Sequence, residues 1–415
     1  MAVVRPFKGL RPKSQEIAEQ MISLPYDVMN RKEAKEMAGK NPYSFLKIVR
    51  SEINLPDSVD AYTTEVYEKA REVLEGWIAD GTLVEDGSPV FYIYRQIMEG
   101  RVQTGLVGCT SIDDYMNDII KKHEFTRKEK EQDRINHFDI TDANTEPVFL
   151  TYKKNNRINE IVDGWIAAHS AAYDVVTEDG IAHIVWVLND AALVDELVKL
   201  FSGIHYLYIA DGHHRSASAV AAGKKRREAN PNYTGEEEFN RFLAVIFPDE
   251  DLYVMDYNRV IKDLNGNTSE AFLAKVGEKF EVAVAPSSPY KPQGKHEYGM
   301  LLDGKWYVLK AKEGSYPGKD PVLSLDSAIL QNNLLDPILG IADPRTDKRI
   351  DFIGGIRGLA ELEKRCKDDM KVAFALYPVT IDDLMGVADA GEVMPPKSTW
   401  FEPKLRSGLF VHRLS

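Results

Sequence analysis

The chain has 415 residues, 44% of them hydrophobic and 28% charged, which is typical of a folded protein long enough for two domains. Its formal net charge of −13 argues against a protein that grips a nucleic-acid backbone, since such proteins need a basic surplus to displace counterions. Two cysteines are too few for a disulfide framework, the start carries no apolar signal core, and no stretch reaches the roughly 18 apolar residues of a membrane span, so we expect a cytoplasmic protein.

The first half of the chain mixes helical and strand patterns. Apolar residues at helical spacing run through residues 61–77, and a hairpin turned at Glu99-Gly100 follows, with strands at 91–94 and 102–110. The heavily charged stretch from Ile112 to Ile135 predicts one long helix. Four β-branched and aromatic runs predict further strands, at 148–152, 183–188, 206–209 and 242–247.

The second half adds a smaller set of signals. Residues 230–238 are polar and predict a loop, a second hairpin is turned at Asp303-Gly304, and a strand is expected at 372–377. We expect the segment at 394–408, which holds three prolines, to be an ordered loop. The fold class indicated is α+β with a mixed sheet, divided near residue 240 into regions 1–240 and 241–415.

The strongest chemical signal is Asp211-Gly212-His213-His214-Arg215, where a buried-looking strand meets an alanine-rich helix. A helix N-terminus presents free N–H groups and partial positive charge, so an anion can dock there. Gly212 allows a tight turn, and arginine matches the fork geometry of phosphate. This much polarity in five residues exceeds what a helix cap needs, and we interpret the segment as a phosphate loop.

A second segment, Lys121-Lys-His123-Glu124-Phe-Thr-Arg127, can be interpreted in two ways. On a continuous helix Glu124 and Lys128 form an i,i+4 pair, which is typical of a solvated helix face. Alternatively, His123-Glu124 supplies a general base beside phosphate contacts from Arg127. Spacing alone does not decide between the two.

Weaker candidates complete the set. Asp27 lies in a Ser-Leu-Pro-Tyr-Asp turn that suits a ligand or a structural role equally, and residues 144–147 open a strand that would line a cleft. The charged loop 343–351 suits a cation or surface ion pairs. Three basic residues of the C-terminal loop would close over phosphates, namely Lys397, Lys404 and Arg406. The histidines are not spaced as in a zinc site, and the sequence identifies no metal. No P-loop and no GxGxxG loop is present.

Six separated segments resemble one bacterial and archaeal family of uncharacterised proteins, loosely labelled ParB-like or SpoOJ-like. These segments are 5–12, 25–27, 41–46, 123–127, 210–216 and 394–399. That family is similar to the ParB/sulfiredoxin fold superfamily, which includes free serine kinases of the SerK type and a siderophore-pathway serine kinase. The resemblance implies a ParB/sulfiredoxin-like core with large N-terminal and C-terminal additions, and the spacing between the two chemical segments is wider here than in the compact kinases.

The resemblance also implies roles for the candidate residues. In those kinases a Lys-x-His-Glu segment supplies the catalytic glutamate, which matches Glu124 beside His123. An Asp-Gly-His-x-Arg segment holds the nucleotide phosphates at a helix start. Here Asp211, Gly212, His213, His214 and Arg215 match that segment, with Asp211 as support for the hydroxyl or metal and the other four around the phosphates. Beyond the resemblance, we expect Ser216, Ser218 and Arg127 to add contacts to the phosphates.

The function expected from this resemblance is free L-serine kinase activity. A kinase of this kind transfers phosphoryl from ATP or ADP, with Mg²⁺, to give O-phospho-L-serine. Two alternatives stay open: a nucleotide-binding or nucleotide-hydrolysing switch without a small-molecule acceptor, and a ParB-like nucleic-acid-binding regulator. The excess of acidic over basic residues disfavours the nucleic-acid-binding regulator. The sequence does not indicate an oligomeric state.

Overall fold

The computed structural model describes residues 1–415, and the chain divides into two compact units. The first unit comprises Met1–Leu252 together with Pro403–Ser415, and the second comprises Tyr253–Glu402. The sequence predicted a division near residue 240. The strand at Arg241–Pro248 pairs with two strands of the first unit, which moves the division past it, and the last residues of the chain return to the first unit.

The elements have the following bounds. The helices are α1 (Gln15–Met21), α2 (Arg31–Ala38), α3 (Leu46–Val49), α4 (Thr64–Ala79), α5 (Ile112–Met116), α6 (Lys128–Thr141), α7 (Asn156–Ala168), α8 (Ala191–Phe201), α9 (His213–Ala229), α10 (Ser269–Lys279), α11 (Asp326–Leu330), α12 (Gly358–Asp368) and α13 (Ile381–Asp389). The strands are β1 (Val4–Arg5), β2 (Leu10–Pro12), β3 (Leu83–Glu85), β4 (Phe91–Met98), β5 (Arg101–Ser111), β6 (Ile120–Lys121), β7 (Ala143–Asn144), β8 (Val148–Tyr152), β9 (Tyr173–Val176), β10 (Ala182–Leu188), β11 (Leu207–Asp211), β12 (Arg241–Pro248), β13 (Val254–Met255), β14 (Tyr257–Ile261), β15 (Phe280–Val284), β16 (Glu297–Leu302), β17 (Lys305–Ala311), β18 (Ile350–Gly354), β19 (Val372–Leu376), β20 (Trp400–Phe401) and β21 (His412–Arg413).

A nine-stranded mixed sheet organises the first unit. Its order is β6-β11-β8-β12-β5-β4-β10-β9, and β1 pairs with β5 outside this path. Two neighbouring pairs are parallel, β6 with β11 and β8 with β12, whereas β11 and β8 run antiparallel. The end of β11 therefore lies at the same edge of the sheet as the end of β6 and the beginning of β8.

Two apolar clusters stabilise the first unit. One joins β8, β11 and β12 to α7, α8 and α9 and includes Leu150, Ile209 and Ile246, all of them fully buried. The other is built on α1 to α4. In α4 the buried residues include Val66 and Leu74, and their helical spacing forms the apolar stripe that amphipathic helices turn toward a core.

The second unit is built on a six-stranded antiparallel sheet of order β15-β17-β16-β19-β14-β18. One face of this sheet packs against α10, α11 and the following π-helical turn Gln331–Leu335, through residues that include Phe272 and Leu334. α12 contributes Leu362 to a second, smaller cluster on β14, β16, β17, β18 and β19.

Most of the predicted elements are confirmed. Both hairpins turn where expected, with left-handed φ values of 52° and 78° at Glu99 and Gly100, and of 49° and 74° at Asp303 and Gly304. The four predicted strands correspond to β8, β10, β11 and β12, and the α+β class is confirmed. No helix of the chain is long and apolar enough to cross a membrane.

The prediction of one helix from Ile112 to Ile135 is wrong. The stretch forms α5, then the edge strand β6, then a loop at 122–127, and only then α6. Ile120 is fully buried in the apolar cluster beside β11, and this long-range pairing overrides the local preference of the charged residues for a helix.

Close packing of α9 generates a stability prediction. A Cβ added to Gly223 would lie 2.5 Å from the Phe239 carbonyl oxygen and 2.8 Å from a methyl carbon of Ile112, so the helix would have to move. We expect Gly223→Ala to lower the free energy of unfolding by about 1–3 kcal/mol, the usual cost of overpacking. The measurement is urea unfolding of the full chain followed by circular dichroism.

Gly164→Ala is the matched control, because Gly164 is an exposed residue of α7 with nothing within 4 Å of the added Cβ. Alanine there removes backbone freedom from the unfolded chain and should raise stability by about 0.5–1 kcal/mol. Equal effects of the two substitutions would contradict the packing account.

Candidate active site at the ends of β6 and β11

The parallel pairing of β6 with β11 determines where the site lies. Ile120 pairs with Leu207 and Lys121 with Tyr208, so the loop 122–127 and the β11–α9 turn leave the sheet from the same edge. Pro147 precedes β8 at that edge because β8 runs antiparallel to β11. Three segments that are distant in sequence therefore meet beside one helix N-terminus.

The turn from β11 to α9 depends on Gly212. Its φ of 94° is in the left-handed region, and a Cβ there would come within 3.1–3.2 Å of the Arg215 guanidinium. α9 begins at His213, directly after this residue, and the Ser216 hydroxyl donates back to the Gly212 carbonyl over 3.1 Å. The first-turn N–H groups of α9 are thus the helix-start donors that the sequence predicted.

Asp211 is held by an ion pair with Lys404. Lys404 Nζ lies 2.9 Å from Asp211 Oδ2, and the Gly212 N–H donates to Asp211 Oδ1 over 2.7 Å. Burial works against ionisation of this carboxyl, but the charges of Lys404 and Arg215 outweigh it and hold the pKa of Asp211 below its usual range. Of the three basic residues of the C-terminal loop, the structure brings Lys404 to the site.

The two histidines of the loop are neutral near pH 7. Burial, with the neighbouring His123, lowers the pKa of His213 well below its ordinary value. Burial and the Arg127 charge likewise lower the pKa of His214. The Arg127 N–H donates to His214 Nε2 over 3.0 Å, which leaves the proton of the neutral ring on Nδ1.

Glu124 and His123 lie beside His213. His213 Nδ1 is 3.9 Å from Glu124 Oε2, and the rings of His123 and His213 meet edge to face with centroids 4.4 Å apart. The side chain of Glu124 is 52% exposed, whereas His123 is buried, and neither ring nitrogen of His123 has a hydrogen-bond partner. Unpaired buried polar atoms are uncommon in folded proteins.

Arg215 enters a buried charged cluster beneath the loop. Its Nη1 donates to the Pro147 carbonyl over 2.5 Å, and its Nε has no hydrogen-bond partner. Burial opposes its charge, but Asp27, Glu146 and Asp211 raise the pKa of Arg215. Asp27 is exposed, and its negative charge acts on Arg215.

Glu146 is the central residue of this cluster, and the sequence indicated it only as part of a strand opening. One carboxylate oxygen accepts from the Tyr26 N–H and from the Ser407 hydroxyl, each over 2.9 Å, and the other lies 3.8 Å from Arg134. Burial raises the pKa of Glu146, although the Arg215 and Arg134 charges oppose the rise. The signal available in the sequence was a glutamate placed directly before a proline and a buried strand.

Other predicted residues lie elsewhere. Arg406 is buried in a separate cluster, where it donates to His183 Nε2 over 3.2 Å and to Asp179. Lys397 belongs to the second unit, with its ammonium 5.6 Å from the centroid of the Tyr257 ring. Ser218 donates to the Glu131 carbonyl over 3.0 Å and thereby links α9 to α6.

The carboxylates at this end of the sheet do not form a metal site by themselves. No group of three or more His, Cys, Asp or Glu is arranged to hold an ion. Mg²⁺ in nucleotide sites is usually held by one or two carboxylates together with phosphates and water, and Asp211 and Glu124 supply oxygen donors of that kind. The residues present therefore fit Mg²⁺ only when a nucleotide supplies phosphate oxygens as further ligands.

Comparison with known families gives one match that covers most of the chain. Residues 4–328 match the family described as Protein of unknown function (DUF1015). The chain belongs to that family. No curated protein matches this DUF1015 chain.

Solved structures similar to the DUF1015 chain include a free serine kinase in complex with AMP, at 15% identity and a TM-score of 0.36, covering 72% of this chain and 91% of that one. A conserved hypothetical protein from Pyrococcus furiosus matches at 15% identity with a TM-score of 0.35, covering 73% and 94%. C-terminally truncated SbnI from Staphylococcus aureus matches at 10% identity with a TM-score of 0.38, covering 74% and 87%. TM-scores of this size support no inference about activity or ligands.

Burial of His123 generates a prediction about pH. Burial lowers the pKa of His123 to about 4, whereas an unfolded imidazole titrates near 6.5. The stability that this neutral ring contributes is therefore fully present above about pH 6.5 and is lost as pH falls toward 4. Between about pH 7 and pH 4.5 we expect wild-type protein to lose roughly 2–3 kcal/mol more unfolding free energy than His123→Phe does.

Urea unfolding at the two pH values measures this difference. His205→Phe replaces an exposed histidine and serves as the control, with a pH dependence equal to that of wild type. An unchanged pH dependence in His123→Phe would show that His123 is not the buried neutral group described.

The ion pair of Asp211 generates a second prediction. In Lys404→Met the carboxyl loses its nearest cation but stays in its buried surroundings, so the pKa of Asp211 should rise out of its lowered range. A ¹³C NMR titration of aspartate side-chain carboxyls measures the change. Lys8→Met, at an exposed lysine of the same unit, should leave the Asp211 titration where it is, and an unshifted Asp211 in Lys404→Met would refute the pairing.

Proposed function

We propose that the protein is a nucleotide-dependent small-molecule kinase that phosphorylates the hydroxyl of free L-serine. The observation that carries the proposal is the juxtaposition of one acid, Glu124, with the N-terminus of α9 and its Asp-Gly-His-His-Arg loop. Phosphoryl transfer needs a group to accept the hydroxyl proton and a preorganised environment for phosphate charge. The choice of serine rests on the resemblance of segments 121–124 and 211–215 to the serine kinase motifs.

The anion-binding part of the proposal uses charges that persist at neutral pH. Arg215 and Lys404 supply two cations, and the N–H groups of the first turn of α9 add partial positive charge. His213 and His214 are neutral, so they bind phosphate oxygens as N–H donors rather than as cations. The Nε–H of Arg215 has no hydrogen-bond partner, so it is a further donor for a phosphate oxygen.

The proton-transfer part assigns the base to Glu124. The serine hydroxyl attacks the terminal phosphorus of the nucleotide, its proton passes to the Glu124 carboxylate, and the bond from that phosphorus to the bridging oxygen breaks. His213 Nδ1 lies 3.9 Å from Glu124 Oε2, and Asp211 orients Lys404 toward the loop. Mg²⁺ bound with the nucleotide would neutralise phosphate charge, with Asp211 as the carboxylate available to hold it.

The donor and the remaining residues belong to the same proposal. ATP and ADP both carry the phosphate chain that the loop would bind, so either would serve as donor. Arg127 and Asp27 lie near His214 and act on it electrostatically, as side chains at the rim of a substrate site would. Membership in the ParB/sulfiredoxin superfamily remains a prediction from the motifs.

The decisive measurement is phosphorus NMR of the purified chain with Mg²⁺, ATP or ADP, and a panel of free amino acids. We expect a new phosphomonoester signal with L-serine and with none of the other acceptors. Nucleotide loss that is indifferent to serine would replace the kinase by a hydrolysing switch.

Glu124→Gln tests the assigned base. Because the amide cannot accept the proton, turnover should fall about 10²–10⁴-fold, while the dissociation constant for ATP should change by less than about threefold. Glu129→Gln removes the same charge from an exposed residue in the first turn of α6 and should retain full turnover. Retained turnover in Glu124→Gln would overturn the assignment of the base.

A further inference from the structure

A buried arginine occupies the interior of the sheet of the second unit. Arg259 lies in β14, paired with Phe352 of β18 on one side and Phe374 of β19 on the other. Its residue exposure is 3%. An interior strand position of this kind is normally apolar, since burying a charge is costly unless it is compensated.

Neutral carbonyls accept the hydrogen bonds of this guanidinium. Nη1 donates to the Tyr257 carbonyl, Nη2 donates to the Lys397 carbonyl over 3.1 Å, and the Pro396 carbonyl lies 3.5 Å from the same nitrogen. Burial lowers the pKa of Arg259 to about 10, opposed by the hydroxyls of Tyr257 and Tyr298 and by no carboxylate. Carbonyls satisfy some of the five N–H donors of the guanidinium but leave its charge uncompensated.

Arg259 lines a cavity of about 280 Å³. Leu335, Ile350 and Phe352 supply apolar wall, and the Cζ of Arg259 is 5.3 Å from the centroid of the Phe352 ring. Ala342 lines the cavity and is exposed, so the cavity reaches the surface there. Asp343 and Arg345 also line the cavity, and Arg345 Nε donates to Asp343 Oδ1 over 2.9 Å, so these two opposite charges pair with each other. A pocket with apolar walls and a few placed polar groups is the usual form of a small-molecule site.

Two local irregularities lie on this cavity. The π-helical turn Gln331–Leu335 contributes Gln331 and Leu335 to the wall, and π-turns within helices occur frequently at functional sites. Gln331 Nε2 donates to the Ile341 carbonyl over 2.7 Å, whereas Gln331 Oε1 is buried without a hydrogen-bond partner. Beside the paired Asp343 and Arg345, the cavity therefore offers the Arg259 guanidinium, which has no carboxylate partner, and the unused acceptor of Gln331.

We propose that this cavity binds a small organic hydroxycarboxylate, with its carboxylate on Arg259 and its hydroxyl donated to Gln331. A single negative charge matches the one guanidinium of the wall that has no carboxylate partner, and a carboxylate matches the guanidinium fork. A phosphate dianion would bring more charge and more hydration than one guanidinium and apolar walls can replace. The ligand group that donates to Gln331 is a hydroxyl, because an ammonium would place a further cation beside Arg259.

Ligand-observed NMR and calorimetry on the full chain test the site with L-lactate, propionate and inorganic phosphate. We expect L-lactate to bind, propionate to bind more weakly because it lacks the hydroxyl, and phosphate not to bind. Absence of lactate binding, or binding of phosphate in place of lactate, would overturn the proposal. Equal affinity for propionate and lactate would contradict the role given to Gln331.

Three variants locate the binding. Arg259→Met removes the charge at similar length, and Ala342→Phe narrows the opening from an exposed position; each should weaken lactate binding roughly tenfold or more. Arg357→Met removes the charge of an exposed arginine outside the cavity wall and should leave the affinity unchanged.

Should Arg259→Met fail to fold, as judged by circular dichroism, Ala342→Phe still decides the question. Wild-type affinity in Ala342→Phe, or loss of affinity in Arg357→Met, would refute this location for the ligand.

Discussion

The short parallel pairing of β6 with β11 is the constraint on which the candidate site depends. Only two residue pairs form it, yet it directs the loop carrying Glu124 and the turn carrying Asp211 to one edge of the sheet. The antiparallel partner β8 begins at the same edge, so the Pro147 carbonyl meets Arg215 there. Parallel strands end at a common edge by geometry, and this edge is where sites of mixed and parallel sheets are usually found.

The sequence predicted the features of this fold that are specified locally. The hairpin turns at Glu99-Gly100 and Asp303-Gly304 follow from residues that tolerate left-handed φ, and the strand-to-helix turn at Gly212 follows from the same chemistry. The strand-to-helix junction at residues 211–213 was predictable because polar residues cluster where a buried strand ends. Such signals require only a few neighbouring residues.

The features that depend on contacts between distant residues could not be predicted from the sequence. β6 has two residues within a charged stretch, and only its pairing with β11 distinguishes it from helix. Glu146 and Arg134 are charged residues that local patterning places at the surface. They are buried because Tyr26 and Ser407 supply partners to Glu146 from distant positions, and because Arg134 is paired both with its neighbour Asp133 and with Glu146. A compensated buried charge is a property of the assembled cluster, and no single segment contains it.

The first unit is completed by the last thirteen residues of the chain, 403–415, although Leu252 ends its main segment. Lys404 and Ser407 from this return segment hold Asp211 and Glu146, and β21 pairs with β7. During synthesis, the whole second unit is therefore translated before the first can acquire its final ion pair. A chain whose synthesis ends within residues 253–402 contains Asp211 but lacks Lys404, so such a truncated product cannot reproduce the electrostatics of the finished protein.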